Sequence, residues 1–275
     1  MGTDDFRRDF LYGVLMGQLP FQIKICGVTS AVDAGCALTD GANAIGVNFY
    51  SESKRCVSIE QAAALRTGIE VFCRLPMQLR PTLVGVFVNS TPDEIEFTRT
   101  NRRFLLGKAP SETPFTGKYR FHNGAPQFDW IQLHGDETPE FVRQVKAQLG
   151  LPIMRALRWG REGAGPIDEY LQQCGALGSL PDAVLIDAHK TGEYGGTGET
   201  TDWEAIARWR ENRTLNIPLV LAGGLTPENI AEAIQIVRPD AVDTASGVES
   251  SPGRKDADRV RAFIAEAKRA FAAMS

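Results

Sequence analysis

The sequence predicts an α/β fold: a single (β/α)8 TIM barrel, in which a closed parallel sheet of eight strands is ringed by helices. Three observations predict it. Eight short, β-rich apolar runs recur along the chain. Segments with helix start signals fall between them. The length of 275 residues is close to the roughly 250 typical of one such barrel. Near-continuous apolar runs suit strands buried on both faces, as in a parallel sheet. Eight repeats favour a closed barrel over an open doubly wound sheet.

The elements follow in order. A first strand is expected over residues 21–26, and Ser30 then opens the helical stretch AVDAGCALTD, which Gly41 stops. The second strand spans 44–49, with Ser58 opening IEQAAALRTG and Glu60 in its first turn. The third spans 82–88, after which Thr91-Pro92 opens DEIEFTRTNRRF with proline at the favoured first position. The fourth spans 128–133, followed by Thr138-Pro139 and EFVRQVKAQLG. Strands at 152–156 and 183–187 come next, and Thr201 or Asp202 opens the helix carrying Trp203 and Trp209. The seventh spans 217–222, followed by Thr226-Pro227 and ENIAEAIQIV. The eighth spans 241–244, and a helix rich in Ala, Lys and Glu closes the chain over 257–274.

Two segments break this rhythm: an N-terminal arm, residues 1–20, and an insertion at about 101–127 that is dense in glycine and proline. The barrel domain is therefore expected over 21–275. The insertion joins a helix end to a strand start, the face of a barrel away from the chemistry, so it reads as a structural or oligomer-contact element. The arm holds only a short apolar patch at 11–16 behind acids and arginines. It reads as a disordered arm or a short packed helix, not as a signal peptide.

Composition bounds the partners. A net charge of −4 and a pI near 5.5 argue against a broad nucleic-acid surface, which would be basic. No run approaches the ~18 apolar residues that span a bilayer. A small molecule is the expected partner, with neither nucleic acid nor membrane. The five cysteines, Cys26, Cys36, Cys56, Cys73 and Cys174, are odd in number and lack a C-x-x-C pair. That argues against a disulfide scaffold or a structural zinc and fits a reducing cytoplasm. With three histidines and no H-E-x-x-H, no metal centre is expected.

In this fold the chemistry sits at the C-terminal ends of the strands. Alternation along K-I-C-G-V-T puts Lys24 and Cys26 on the inner face, and Ile23 and Ile25 against the helices. Cys26 is then either a base at the barrel mouth or a buried structural cysteine. In A-V-L-I-D the same alternation turns Leu185 and Asp187 inward. Asp187 is then either a carboxyl that keeps its proton in a partly apolar pocket and acts as an acid, or an Asp that caps the next loop. Gly223 and Gly224 after the seventh strand, and Ser246 and Gly247 after the eighth, suit a phosphate cradle of backbone N–H groups. Arg55 either pairs with a substrate carboxylate or phosphate or is a solvated surface arginine. His134, beside Gln132 on the same face, suits a second proton carrier or an orienting donor. The glycine-rich stretch after Asp187 reads as a lid.

The motifs K-I-C-G-V-T, Y-S-E-S-K-R-C-V-S, V-G-V-F-V-N, I-Q-L-H-G, L-I-D-A, E-Y-G-G-T-G, L-A-G-G-L-T-P-E-N and V-D-T-A-S-G-V-E-S-S-P-G-R-K-D together resemble phosphoribosylanthranilate isomerases. The resemblance runs in order from residue 21 to the final helix, omitting the insertion. It implies an Amadori rearrangement in tryptophan biosynthesis without cofactor or metal. It implies Cys26 as general base and Asp187 as general acid. It also implies Arg55, His134 and Asp243 as substrate-binding residues, with Gly223, Gly224, Ser246 and Gly247 around the phosphate. A monomer or a homodimer fits it. The competing readings are another phosphosugar-binding barrel enzyme, such as indoleglycerol-phosphate synthase or a pentose-phosphate epimerase, and a non-catalytic phosphosugar-binding protein. A synthase would carry a catalytic lysine where Cys26 and Asp187 stand, and a metal-dependent epimerase would need a His/Asp cluster.

Overall fold

The structure, a computed structural model, describes residues 19–72, 80–100, 125–188 and 202–274. Nearly all of the arm, most of the insertion, Cys73 and the glycine-rich stretch at 189–201 lie outside the described residues. Eight parallel strands close in sequential order: β1 (Ile23–Ile25), β2 (Ala44–Asn48), β3 (Thr82–Phe87), β4 (Trp130–Leu133), β5 (Ile153–Arg158), β6 (Ala183–Asp187), β7 (Leu219–Ala222) and β8 (Ala241–Thr244). β8 returns to pair with β1, Asp243 standing opposite Lys24. The helices are α1 (Ala31–Asp40), α2 (Ile59–Phe72), α3 (Pro92–Thr100), α4 (Pro139–Leu149), α5 (Gly165–Ala176), α6 (Trp203–Asn212), α7 (Ile230–Val237) and α8 (Ala257–Ala272). A short 3-10 turn (Ser246–Val248) and a two-stranded hairpin of β9 (Glu249–Ser251) and β10 (Arg254–Lys255) separate β8 from α8.

Strand alternation sorts the side chains as expected. Ile23, Ile25, Val184 and Ile186 join the core between barrel and helices. Phe21, Ala44, Val84, Trp130, Met154, Leu185 and Val220 form a second core inside the barrel. Each helix presents an apolar stripe to the outer core. In α7 the stripe is Ile230, Ala233, Ile234 and Val237, the i, i+3, i+4, i+7 spacing of one helical face. Burying each of its large aliphatic side chains contributes about 1.5–3 kcal/mol.

Helix ends explain where the sequence reading held. Ser30 caps α1 by accepting from the Asp33 N–H, and Gly41 stops it in the left-handed region at φ 108°. Thr138 and Asp202 cap α4 and α6 in the same way. Helix α5 had no such signal: its N-cap is Ala164, whose side chain makes no capping bond. Helix α7 starts at Ile230, later than Thr226-Pro227 suggested. The Asn229 side chain accepts from the Thr226 N–H and donates to the Gly224 carbonyl, closing the preceding residues into a turn. Strand β5 runs on to Arg158, beyond the expected end at residue 156.

A repeated brace sets the lower rim. Asn43, just before β2, accepts from the N–H groups of Gln22 and Ile23. Asp129, Asp182 and Asp240 stand just before β4, β6 and β8. They accept from Leu83, Ile153 and Leu219, at or beside the starts of β3, β5 and β7. Each even strand is thereby pinned to the odd strand before it, which fixes the register of the upper rim.

Candidate active site

Past Ile25 the β1 ladder continues, because the Cys26 N–H donates to the Thr244 carbonyl at 2.8 Å. The Cys26 side chain therefore stays on the inner face at the barrel mouth, where it is buried. Beneath it lies Lys24, with no exposed surface, its Nζ 2.9 Å from Asp243 Oδ2. A Cβ placed on Gly46 would sit 2.7 Å from Cys26 Sγ and 3.0 Å from Lys24 Nζ. The glycine of β2 thus leaves the space that thiol and ammonium occupy together. Burial, and then the Asp243 charge, push the Cys26 thiol up from its ordinary value, while Lys24 and Lys255 pull it back. Burial works against the Lys24 ammonium, but Asp243 and Cys26 outweigh it and keep the lysine charged.

Asp187 ends β6, three strands round the ring from β1 by way of β8 and β7. Its Oδ2 lies 3.7 Å from His134 Nε2, and both side chains are partly open to solvent. His134 follows β4, its Nδ1 bonded at 2.8 Å to the Gln132 amide. His134 lies close enough to Asp243 to favour its carboxylate form, so Cys26, Lys24, Asp243, His134 and Asp187 share one electrostatic neighbourhood. Two acceptors on the floor of this group are buried and lack a hydrogen-bond partner among the described residues: Asp243 Oδ1 and Gln132 Oε1. An orphaned buried acceptor costs about 1–3 kcal/mol, and a ligand bearing hydroxyl or N–H donors would relieve both.

The glycine loops after β7 and β8 interlock. Gly223 and Gly224 adopt φ of 91° and 65°, a region open to glycine. Among the described residues their N–H groups have no hydrogen-bond acceptor. Thr244 Oγ1 donates to the Leu225 carbonyl at 2.8 Å. Any Cβ on Gly247 would overlap that same carbonyl oxygen. Carbonyls of the loops are tied back, Gly224 by Asn229 and Gly247 by Arg259. This is the backbone arrangement that accepts an anion.

Arg55 is an ion-paired arginine. It grips Glu249 with two parallel bonds, Nε to Oε1 at 2.8 Å and Nη2 to Oε2 at 2.7 Å. Gly27 lets it lie there: at φ 67° it carries no side chain, and a Cβ would overlap the Arg55 stem. Arg55 consequently lies across the turn next to Cys26. The structure thus brings all the candidate residues to one end of the barrel, at or just beyond the strand C-termini.

Several members of this site were invisible in sequence. Glu249 and Lys255 had no assigned role. Arg158 was missed because the fifth strand was ended too early; it stands beside Asp187 in the β5–β6 register. Arg155 is buried, paired with Glu137 at 3.1 Å, and donates to the carbonyls of Leu133 and Gly135 on either side of His134. Its signal was available, as the one arginine in the apolar run at 152–156. Among the described residues no group of His, Cys, Asp and Glu has the arrangement of a metal site. None of the described helices is long and apolar enough to cross a membrane.

A thiol just beyond β1, a carboxyl at the end of β6, an imidazole beside it, open amides after β7 and a braced guanidinium suit acid–base chemistry on a doubly anionic, hydroxyl-bearing molecule. Comparison with known proteins points the same way. A family described as N-(5'phosphoribosyl)anthranilate (PRA) isomerase matches residues 124–266. An N-(5'-phosphoribosyl)anthranilate isomerase of Trichlorobacter lovleyi is 39% identical over 251 residues, covering 91% of this chain and 99% of that one. The crystal structure of phosphoribosyl anthranilate isomerase from Thermotoga maritima superposes with a TM-score of 0.68 at 33% identity, over 90% of this chain and 99% of that one. Another isomerase structure, in complex with reduced 1-(o-carboxyphenylamino)-1-deoxyribulose 5-phosphate, gives a TM-score of 0.66 at 30% identity, over 90% of this chain and 99% of that one.

Proposed function

This chain belongs to the N-(5'-phosphoribosyl)anthranilate isomerase family, and from that premise we propose how its own residues divide the work. The reaction is the Amadori rearrangement of N-(5-phosphoribosyl)anthranilate to 1-(2-carboxyphenylamino)-1-deoxyribulose 5-phosphate, a step of tryptophan biosynthesis. Asp187 gives its proton to the furanose ring oxygen. The C1–O bond breaks with its electron pair on that oxygen, and the nitrogen lone pair forms a C1=N iminium. The Cys26 thiolate then takes the C2 proton. The C–H pair becomes the C1=C2 bond, and the iminium pair returns to nitrogen. The enolamine tautomerises as C1 gains a proton and the C2 hydroxyl loses one, leaving the ketone. Each positioned acid or base contributes about 10²–10⁴-fold.

The single observation carrying this reading is the meeting of Cys26 and Asp243 around Lys24, with His134 near Asp243 and Asp187 3.7 Å from the imidazole. Gly223, Gly224, Ser246 and Gly247 hold the phosphate, and Arg55 reads the aromatic carboxylate. Asp243 Oδ1 and His134 serve the sugar hydroxyls. Anchoring both anions leaves the reacting carbons little freedom, and such orientation accounts for the rest of the acceleration. The barrel over residues 21–275, with its arm and insertion, acts in the cytoplasm as a monomer or homodimer without nucleic-acid or membrane partners. Freshly made phosphoribosylanthranilate tests the roles through loss of anthranilate-type fluorescence. Cys26→Ser and Asp187→Asn should each lose about 10²–10⁴-fold. An inactive wild-type chain overturns the reaction; near-wild-type variants overturn the two roles.

A further inference from the structure

We propose that Glu249 is a positioning residue for specificity: held by Lys255, it fixes the Arg55 guanidinium so that its remaining edge reads the substrate's aromatic carboxylate. The inference rests on the assignment of Arg55 made above and adds to it the device that aims the arginine.

The geometry is that of a strut. Glu249 Oε1 accepts from Arg55 Nε at 2.8 Å, from Lys255 Nζ at 2.9 Å and from the Gly253 N–H at 3.3 Å, while Oε2 accepts from Arg55 Nη2 at 2.7 Å. The Glu249 and Lys255 side chains are 4% and 2% exposed, whereas Arg55 retains 25%. The occluded pair is thus the support, and the arginine is the part that meets solvent. A guanidinium has five N–H donors in a planar fork. Two are committed to Glu249, and Nη1 makes no bond among the described residues. Because the fork is planar, fixing one edge fixes the direction of the others. Conformational freedom that a loose arginine would lose on binding is already lost in the free protein.

Charge supports the assignment. A carboxylate paired with the reading arginine would by itself cancel the attraction for an anion. Lys255 restores it, since two cations around one anion leave a net single positive charge. Burial pushes the Glu249 carboxyl up, but the bonds from Arg55 and Lys255 outweigh it and hold the group below its usual value, so it stays ionised. Lys255 Nζ also donates to the Ala245 carbonyl at 2.9 Å, the residue before Ser246. The same node therefore ties the carboxylate reader to the phosphate loop and sets the span between the two anions. A ligand whose anions are spaced differently meets only one of them.

Calorimetric binding of two stable ligands tests this. One is reduced 1-(o-carboxyphenylamino)-1-deoxyribulose 5-phosphate; the other is its counterpart made from aniline, without the carboxylate. The wild-type chain should prefer the first by about 10–100-fold, the range for a charged hydrogen-bonded contact. Glu249→Gln should reduce that preference to about threefold or less while the carboxylate-free ligand binds within about threefold of wild type. A merely structural role would weaken both ligands together and leave their ratio intact. If Glu249→Gln does not fold because Lys255 is left unpaired, the double variant Glu249→Gln with Lys255→Met is measured instead; loss of the Lys255–Ala245 bond weakens both ligands there, and the expectation is the same fall in their ratio. Full preference in whichever variant folds overturns the inference. Arg55→Met separates the two levels: if it keeps the preference, the assignment of Arg55 fails and the strut with it. If it loses the preference while the Glu249 variant keeps it, the strut alone fails.

Discussion

Gly46→Ala adds one methyl group at the most confined point of the site. The new Cβ would stand 2.7 Å from Cys26 Sγ, 3.0 Å from Lys24 Nζ and 3.1 Å from Cys26 Cα. Comfortable separations between nonbonded heavy atoms are about 3.5–4.0 Å, so the thiol must move by about 1 Å. Neither neighbour can yield cheaply. Lys24 is buried and held by Asp243, and Cys26 is tied through its backbone to Thr244. Overpacking of this kind costs about 1–3 kcal/mol, against a total stability of about 5–15 kcal/mol, so the variant folds. Displacing a reacting group by about 1 Å costs about 10²-fold in rate. The expected result is a folded protein with kcat/KM down about 100-fold and a Tm lowered by about 2–4 °C per kcal/mol lost. Gly165→Ala is the control, because a Cβ there meets nothing within 4 Å. Near-wild-type turnover by Gly46→Ala would refute the shared placement of thiol and ammonium.

Two further outcomes follow from the same geometry. Burial and Asp243 raise the Cys26 thiol, so the thiolate is the minor form at neutral pH in the free enzyme. The value of kcat/KM should climb about tenfold per unit from pH 6 until the thiol titrates above the ordinary cysteine range; a flat profile from pH 6 to 9 contradicts this. Gly247→Ala drives a methyl group into the Leu225 carbonyl and should part the two phosphate loops. KM should then rise at least about tenfold with a smaller change in kcat, as when binding shared by ground and transition states is removed; an unchanged KM removes these loops from the site.

The legible features were those written in local patterns. Alternation alone turned Cys26 and Asp187 inward, because a strand has a period of two and the apolar residues between them mark the outer face. Ser30, Gly41 and Thr138 announced helix ends through one side chain or one missing Cβ. Helix α5 escaped because Ala164 offers no capping oxygen. The support of Arg55 escaped for a different reason. Glu249 lies 194 residues away in sequence, and no periodicity links the two. Only closure of the barrel brings the turn after β2 against the hairpin after β8. Family resemblance marked Arg55 as a binding residue, but Glu249 and Lys255 acquire meaning only once the ring is closed. The lower-rim brace was legible in principle. Asn43, Asp182 and Asp240 each stand immediately before an even strand, and Asp129 near the start of the expected fourth strand, but a lone Asn or Asp at such a place reads equally well as a turn residue.

The floor of the site sacrifices stability for chemistry, and Gln132 makes that measurable. The side chain is fully buried, bonds to His134 Nδ1 at 2.8 Å, and leaves Oε1 without a partner among the described residues. The satisfied bond contributes about 0.5–1.5 kcal/mol, while an orphaned acceptor costs about 1–3 kcal/mol. Methionine is similar in length, flexible and apolar, and fills such a space without a polar atom that needs a partner. On stability alone, Gln132→Met should therefore be neutral or should gain up to about 1–2 kcal/mol. Function responds in the opposite direction. His134 loses the bond that orients its ring toward Asp187, and the substrate loses an acceptor, so kcat/KM should fall about tenfold or more. Urea unfolding and steady-state kinetics on the same preparation separate the two. A variant that loses more than about 1 kcal/mol of stability yet keeps full turnover would make Gln132 a packing residue, and the unfilled acceptor would no longer argue for a ligand on the barrel floor.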